Sequence, residues 1–291
     1  MWQKIIKIFK SSYTVVSVMI VVILWTGISY YLISSAMGTS DMASDDFSDT
    51  GEPSEPEDCN VYGINIHGDV VTYHSNDAYN DQGNIIYDQT SVDEVIWALD
   101  KAQDNENIKA VAIEIDSGGG SGEAGEEMML AFQQSKKPVV AFIRNRGLSA
   151  AYLAATGAQT IFASNLSDVG SIGVTLSYLQ ETEQDKKAGL TFIDLSSGKF
   201  KDSGSPSKAI TEEEKQLFMR DLKIAHNYFV SLVAKNRKLS IEKVKALADG
   251  STVMGEQALK DGLIDKIGLL PDVESFLTEK IGTETKICWQ N

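Results

Sequence analysis

Apolar positions after residue 59 follow two alternating patterns, one typical of strands and one typical of helices. Short apolar runs such as KAVAIEI (109–115) and PVVAFI (138–143) predict buried strands, and helical spacing follows each of them. Ser91 and Glu94 have the spacing of a capping box, which predicts that a helix begins there. The alternation predicts an α/β fold with a largely parallel central sheet.

Other stretches of the pattern predict further elements. The run from 60 to 74 alternates around His67-Gly68-Asp69, which predicts a hairpin. The run LTFIDL (190–195) predicts another strand of the sheet. The second half is mostly helical in pattern, and it predicts helices over 211–237, 241–248, 255–260 and 272–280.

The apolar run near the N-terminus is longer than any of these. Residues 13–33 contain no charged side chain, which is enough for one transmembrane helix, and three lysines precede them. The positive-inside rule then keeps residues 1–12 in the cytoplasm and exports the chain beyond the helix. A cleavable signal peptide is the alternative, because Ser34 and Ala36 resemble a cleavage site, but the length of the run favours an uncleaved anchor.

A change of composition separates this run from the rest of the chain. Residues 37–58 are rich in acids, serine and proline and contain no lysine or arginine, so they predict a solvated, disordered linker. We therefore expect a cytoplasmic tail (1–12), a transmembrane anchor (13–36), an acidic linker (37–58) and one folded domain (59–291).

Charge and composition exclude some classes of function. The net charge of −15 argues against a nucleic-acid partner, because phosphate backbones require a basic surface. Two cysteines and three histidines are too few for a convincing zinc cluster, and neither HExxH nor CxxC occurs. We therefore expect no metal and no cofactor.

Two strand-to-helix turns carry candidate chemistry. Gly118, Gly119 and Gly120 follow the first strand, where they form either a plain tight turn, a phosphate cradle or an oxyanion hole. Ser149 follows the next strand, as a helix cap or as a nucleophile. The carboxyl ends of neighbouring parallel strands open into one crevice, so we expect these turns to face each other.

A serine nucleophile also needs a base. His67 and His74 fall in the predicted hairpin and His226 lies within a helix, so each is better explained as structural. Lysine is the remaining candidate, since desolvation can lower its pKa. The Gly/Ser-rich segment 196–215 contains Lys199, Lys201 and Lys208, although ordinary solvated lysines would fit the same pattern.

Five segments, in this order along the chain, resemble the signal peptide peptidase A family. Members of that family are membrane-anchored serine proteases with a Ser–Lys dyad and a ClpP/crotonase-like fold of repeated ββα units. The resemblance spans roughly 60–268. It rests on DSGGG (116–120), LSAAYLAATGAQTIFA (148–163), VGSIGV (169–174), SGKFKDSGSPSKAITEEEK (197–215) and GEQALKDGLIDKIG (255–268).

The resemblance implies a role for each matched residue. Ser149 would be the nucleophile and Lys201 the base, whereas Lys199 and Lys208 fall where the family uses no residue for chemistry. The remaining implied residues form the oxyanion hole, Gly119 and Gly120, and the substrate groove, Gly118, Gly170, Ser171, Ile172 and Gly173. Asp116 and Gly118 depart from the family, which has asparagine and proline there.

The resemblance also implies partners and location. We expect peptide substrates, above all cleaved signal peptides, and a homo-oligomeric ring in which adjacent subunits share the dyad. The protein would be a single-pass protein of the bacterial inner membrane, with its protease domain on the exported side. Alternatives are a crotonase-like acyl-CoA enzyme, a stomatin-associated membrane protease and a non-catalytic scaffold.

The two cysteines lie at opposite ends of the expected domain. Cys59 begins it and Cys288 falls in its last strand-like run. An exported domain lies in an oxidising compartment, where a bridge between them would join both ends of the fold. The sequence leaves open whether they pair or remain free thiols.

Overall fold

The computed structural model describes residues 59–74 and 88–290. The predicted tail (1–12), anchor (13–36) and acidic linker (37–58) lie outside these residues and stay predictions. Among the described residues, no helix combines the length and apolar character needed to cross a membrane.

A predominantly parallel sheet forms the centre of the described part. Its strands are β1 (Val61–Val71), β2 (Gln89–Ser91), β3 (Ala110–Gly120), β4 (Val139–Leu148), β5 (Thr160–Ala163), β6 (Asp168–Gly170), β7 (Thr252–Met254), β8 (Lys266–Ile267) and β9 (Ile287–Trp289). The main path runs β2-β1-β3-β4-β5-β8, and all its neighbours are parallel. β9 pairs with β1 and β6 with β4, both in parallel, and β7 pairs antiparallel with β6.

The helices begin largely where the sequence pattern predicts. They are α1 (Val92–Asp104), α2 (Gly122–Gln134), α3 (Ser149–Ala155), α4 (Thr182–Lys187), α5 (Glu212–Arg237), α6 (Ile241–Leu247), α7 (Gly255–Asp261) and α8 (Leu270–Ile281). The capping box at α1 is confirmed: the Glu94 amide donates to Ser91 Oγ, and the Ser91 amide donates to the Glu94 carboxylate. The four helices predicted for the second half are confirmed to within two residues at each end.

The prediction of a hairpin at residues 60–74 is wrong. Residues 61–71 form one strand, β1, which stays parallel to β3 on both sides of a register shift between His67 and Asp69. Gly68, with φ at +62°, lies at this bulge. A Cβ on Gly68 would lie 1.9 Å from the Asp88 carbonyl oxygen, so glycine is required by close backbone approach rather than by a reversal of the chain.

The predicted strand at 190–195 is also absent. Those residues form no strand, and Leu190, Ile193 and Leu195 are exposed, Leu195 at 94%. A strand requires a sheet edge to pair with, and nothing in the described residues pairs with this run. The segment 174–200 therefore carries apolar side chains without burying them.

The expected repeated ββα units appear in a modified form. β1, β2 and α1 make one such unit, whereas β3 and β4 each lead directly into a helix. β4 changes partner midway, pairing with β5 through residues 140–143 and with β6 through 146–148. One long strand thus takes the place of two short ones.

Both faces of the sheet are covered, and the larger core lies on the face covered by α1, α2, α3 and α5. A smaller cluster on the other face packs against α8 through Val273 and Leu277. The carboxyl ends of β3 and β4 emerge from this framework, so the two candidate turns are held by buried strands.

The small residues of α3 are explained by close contact between backbones. All residues of α3 after its first are buried. A Cβ on Gly125 of α2 would lie 2.4 Å from the Ala150 carbonyl oxygen. A Cβ on Gly157, just past α3, would lie 2.3 Å from the Met129 carbonyl oxygen. Larger side chains would force α2 and α3 apart.

The two ends of the domain are joined covalently. Cys59 and Cys288 form a disulfide, with their Cα atoms 5.7 Å apart. The neighbouring residues belong to paired strands, since Tyr62 of β1 lies opposite Cys288 of β9. The sheet therefore brings together two cysteines separated by 229 positions.

Replacing both cysteines with alanine should lower the midpoint of denaturant unfolding of the oxidised protein. Restricting so long a loop in the unfolded chain contributes up to about 4–5 kcal/mol in the chain-entropy treatment. Reduced wild type should unfold close to the double variant, since both lack the crosslink. Free thiols at Cys59 and Cys288, found by non-reducing peptide mapping of exported protein, would contradict the bridge.

Candidate functional site

Ser149 lies at the sharp junction between β4 and α3. Its φ is +50°, in the left-handed region that residues other than glycine adopt at a cost of about 1–3 kcal/mol. A strained serine between a strand and a helix is the arrangement that exposes a nucleophile in many hydrolases. The described residues contain no hydrogen-bond partner for its hydroxyl, so the serine is not acting as an ordinary side-chain cap.

The glycine turn at the end of β3 contacts this serine directly. A Cβ on Gly119 would lie 2.7 Å from Ser149 Cβ and 2.9 Å from the Leu148 carbonyl oxygen. Gly119 has φ at +105°, a second reason for glycine here. The two predicted turns therefore face each other.

The Gly119 amide is already engaged within its own turn. It donates to Ser117 Oγ at 3.0 Å, and the Ser117 hydroxyl donates to the Gly68 carbonyl oxygen at 2.6 Å. For Gly119 to donate to an oxyanion, its amide must share or exchange the bond to Ser117. The Ala150 amide adjoins the same spot, 3.1 Å from the Cβ position built on Gly119, and no side chain caps α3.

A cavity of about 770 Å³ opens at Ser149. The predicted residues Gly118, Gly120, Ser171 and Gly173 line it. Of the other predicted groove residues, Gly170 pairs with Leu148 across β6 and β4, and the side chain of Ile172 is fully buried in the core. Gly170 and Ile172 are therefore not among the residues that line the cavity.

The rest of the cavity wall combines apolar and acidic side chains. Leu153, Phe229 and Leu232 supply apolar surface, and Glu123, Glu126 and Asp249 supply carboxylates. A backbone amide and the Ser121 hydroxyl lower the pKa of Glu123, and the Ser251 hydroxyl and amide lower the pKa of Asp249. The wall is therefore negatively charged at neutral pH.

None of the three histidines hydrogen-bonds Ser149. His67 lies 3.4 Å from the Glu114 carboxylate, and His74 lies 2.9 Å from that of Glu94. His226 lines the cavity, which its position in the sequence did not predict. Its Nε2 lies 2.8 Å from the Ala248 carbonyl oxygen. That nitrogen must carry a proton to bond a carbonyl, so it is unavailable as a base.

Lys201 is exposed and is not among the residues that line the cavity of its own chain. Its backbone amide donates to the Gly198 carbonyl oxygen. Neighbouring Lys199 pairs with Glu213 at 2.8 Å on the exposed surface, whereas Lys208 is bound between Asp202 and Glu214. A single chain therefore supplies the serine, the glycine turn and the cavity, with the predicted lysine elsewhere.

Comparison with known proteins identifies the family. Residues 131–283, which include Ser149 and Lys201, match peptidase family S49. The chain belongs to the SppA family of S49 peptidases. Two curated relatives, a "Putative protease" of Methanocaldococcus jannaschii and a "Putative signal peptide peptidase SppA" of Enterococcus faecium, are each 34% identical, over 69% and 65% of this chain. The matches span 66% and 56% of those relatives' own lengths.

A solved structure supports the fold of this S49 chain. A mutant of a membrane-bound stomatin-specific protease, in complex with a substrate peptide, superposes with a TM-score of 0.53. The superposition covers 81% of this chain and 93% of that one, at 18% sequence identity. At that identity the likeness concerns the fold alone.

Gly119→Ala should reduce labelling of Ser149 by a fluorophosphonate probe at least about 100-fold. The methyl group would collide with Ser149 Cβ and strain a backbone that requires positive φ. Gly122→Ala is a matched control for folding, because a Cβ there meets nothing within 4 Å and the position opens α2. Its melting temperature should equal or slightly exceed that of wild type. Wild-type labelling of Gly119→Ala would contradict the close approach.

Proposed function

We propose that this protein is a membrane-tethered serine endopeptidase that uses Ser149 and Lys201 as a catalytic dyad. One observation carries the proposal: Ser149 is held at positive φ, without a hydrogen-bond partner among the described residues, against a glycine turn and at the edge of a cavity. Membership of the S49 family supports it.

The chemistry follows from the groups present. Neutral Lys201 accepts the hydroxyl proton of Ser149 as its oxygen attacks the peptide carbonyl carbon. The backbone amides of Gly119 and Ala150 stabilise the negative charge that develops on the carbonyl oxygen. Lys201 then donates the proton to the leaving amine, and water hydrolyses the acyl-enzyme with the same lysine as base.

A lysine base must be withdrawn from water to be neutral near pH 7, whereas Lys201 is exposed in the single chain. We therefore propose that Lys201 completes the site of an adjacent subunit in a ring. The exposed apolar side chains of segment 174–200, which leads to Lys201 along the chain, and of α5, which follows it, support this, because they have the character of a surface that a second subunit covers. They are Val174, Leu176, Leu179, Leu190, Phe192, Ile193, Leu195 and Phe200, with Met219, Ile224 and Tyr228 on α5.

The proposed substrates are cleaved signal peptides and other short apolar peptides. Leu153, Phe229 and Leu232 offer apolar contacts in the cavity beside Ser149, and the apolar stretch of a signal peptide has matching side chains. We propose that residues 13–36 anchor the chain in the bacterial inner membrane, with the protease domain on the exported side. There, such peptides remain after export.

Lys201→Ala should lower kcat/KM for a fluorogenic peptide at least about 1000-fold, as should Ser149→Ala. Lys199→Ala and His226→Gln are the matched controls for Lys201. Lys199→Ala removes an exposed lysine two positions away, and His226→Gln removes the histidine that lines the cavity. Both variants should keep the wild-type pH dependence of kcat/KM. Peptidase activity that survives in Lys201→Ala would overturn the dyad.

Co-assembly of two inactive variants tests the shared site. Rings of Ser149→Ala alone and of Lys201→Ala alone should not cleave peptide. In a mixed ring, some junctions join an intact Ser149 to a neighbour's intact Lys201, so about a quarter of the junctions should be active for random mixing of equal amounts. Mixed rings verified by native mass spectrometry but lacking activity would refute sharing between subunits.

A further inference from the structure

Lys208 is bound by two carboxylates at the base of the segment that carries Lys201. Its Nζ lies 2.7 Å from Asp202 Oδ1 and 2.8 Å from Glu214 Oε1. All three side chains are largely withdrawn from water, with exposed fractions of 24% for Lys208 and 17% for Asp202. Such a pair is screened less than an exposed ion pair, so it can hold the loop.

Glu214 connects this cluster to the start of α5. It is the third residue of the helix, and its Oε2 accepts hydrogen bonds from the amide and the hydroxyl of Thr211, both at 2.9 Å. The bonds from Lys208 and Thr211 lower the pKa of Glu214 to about 2, so it stays ionised. A fixed helix end therefore positions Lys208, and Lys208 positions Asp202.

Asp202 directly follows Lys201 in the chain. Its Oδ1 is bound to Lys208, and its Oδ2 is buried without a hydrogen-bond partner among the described residues. The carboxylate thus has an uncompensated oxygen that is held out of water, on the residue directly after the exposed lysine that must lose its proton. Nearby Lys199 and Glu213 pair with each other on the exposed surface and do not compensate this charge.

We propose that Lys208 is a positioning residue for Lys201: it binds the Asp202 carboxylate, keeps that carboxylate from pairing with Lys201, and fixes the loop to α5. This rests on the proposed function, in which Lys201 is the base. A carboxylate that pairs with an ammonium favours its charged form, which would make Lys201 a poorer base at neutral pH. Lys208 also neutralises one of the two negative charges of the cluster that it forms with Asp202 and Glu214.

The sign of the effect can be measured in the pH dependence of kcat/KM. A lysine base is active when neutral, so the acid limb of the profile rises through its pKa. Lys208→Met frees Asp202 to pair with Lys201, so the midpoint of that limb should move to higher pH by about 1 or more. Activity below the midpoint should then fall about 10-fold per pH unit of displacement.

Three further variants separate this role from a structural one. Lys208→Arg keeps the cation and should keep the wild-type midpoint. Asp202→Asn combined with Lys208→Met removes the freed carboxylate and should return the midpoint towards wild type. Lys199→Met, the matched control, removes an exposed lysine of the same segment and should leave the midpoint unchanged.

A second measurement covers the case in which Lys208→Met is too weak to assay. In assembled Ser149→Ala protein with ¹³C-methylated lysines, NMR titration should give a higher pKa for Lys201 after Lys208→Met, and the Asp202→Asn addition should reverse it. An unchanged Lys201 pKa, or one that the Asp202→Asn addition does not lower, would overturn the inference. Full activity of Lys201→Ala would instead overturn the proposed function itself.

Discussion

The structure depends on backbones that approach without side chains between them. α3 can reach the glycine turn of β3 only because Gly119, Gly125 and Gly157 have no Cβ to collide with Ser149, Ala150 and Met129. The same contact gives α3 its small residues and holds Ser149 in its strained conformation. Packing that is this close tolerates almost no displacement, so the serine and the turn keep one relative position.

Much of this arrangement follows from the sequence. Buried strands with helical segments between them predict a parallel sheet, and a parallel sheet places the turns after β3 and β4 side by side. The capping signal at Ser91 is local and was therefore readable from the sequence. The start of α5 was predicted from its helical spacing alone, and the structure adds a capping box of Thr211 and Glu214 with the same three-residue separation.

Features set by contacts between distant segments could not be read in this way. The triplet His67-Gly68-Asp69 has a composition typical of a turn. The requirement for glycine at position 68, however, comes from the backbone of Asp88, twenty positions later. The run 190–195 has the pattern of a strand, but the described residues give it no edge to pair with. The cluster of Lys208, Asp202 and Glu214 was likewise hidden, because ordinary solvated lysines and a cluster of this kind have the same composition.

The disulfide between Cys59 and Cys288 makes the chain between these two residues a covalently closed loop. Under the proposed function, the long exposed segment 174–200 is open to being cut by other copies of this chain. One cut within that segment would leave both pieces attached through the sulfur atoms, so the product would keep the original mass plus one water. Autolysis would then change the connectivity of the chain without releasing a fragment, and the two pieces would separate only after reduction.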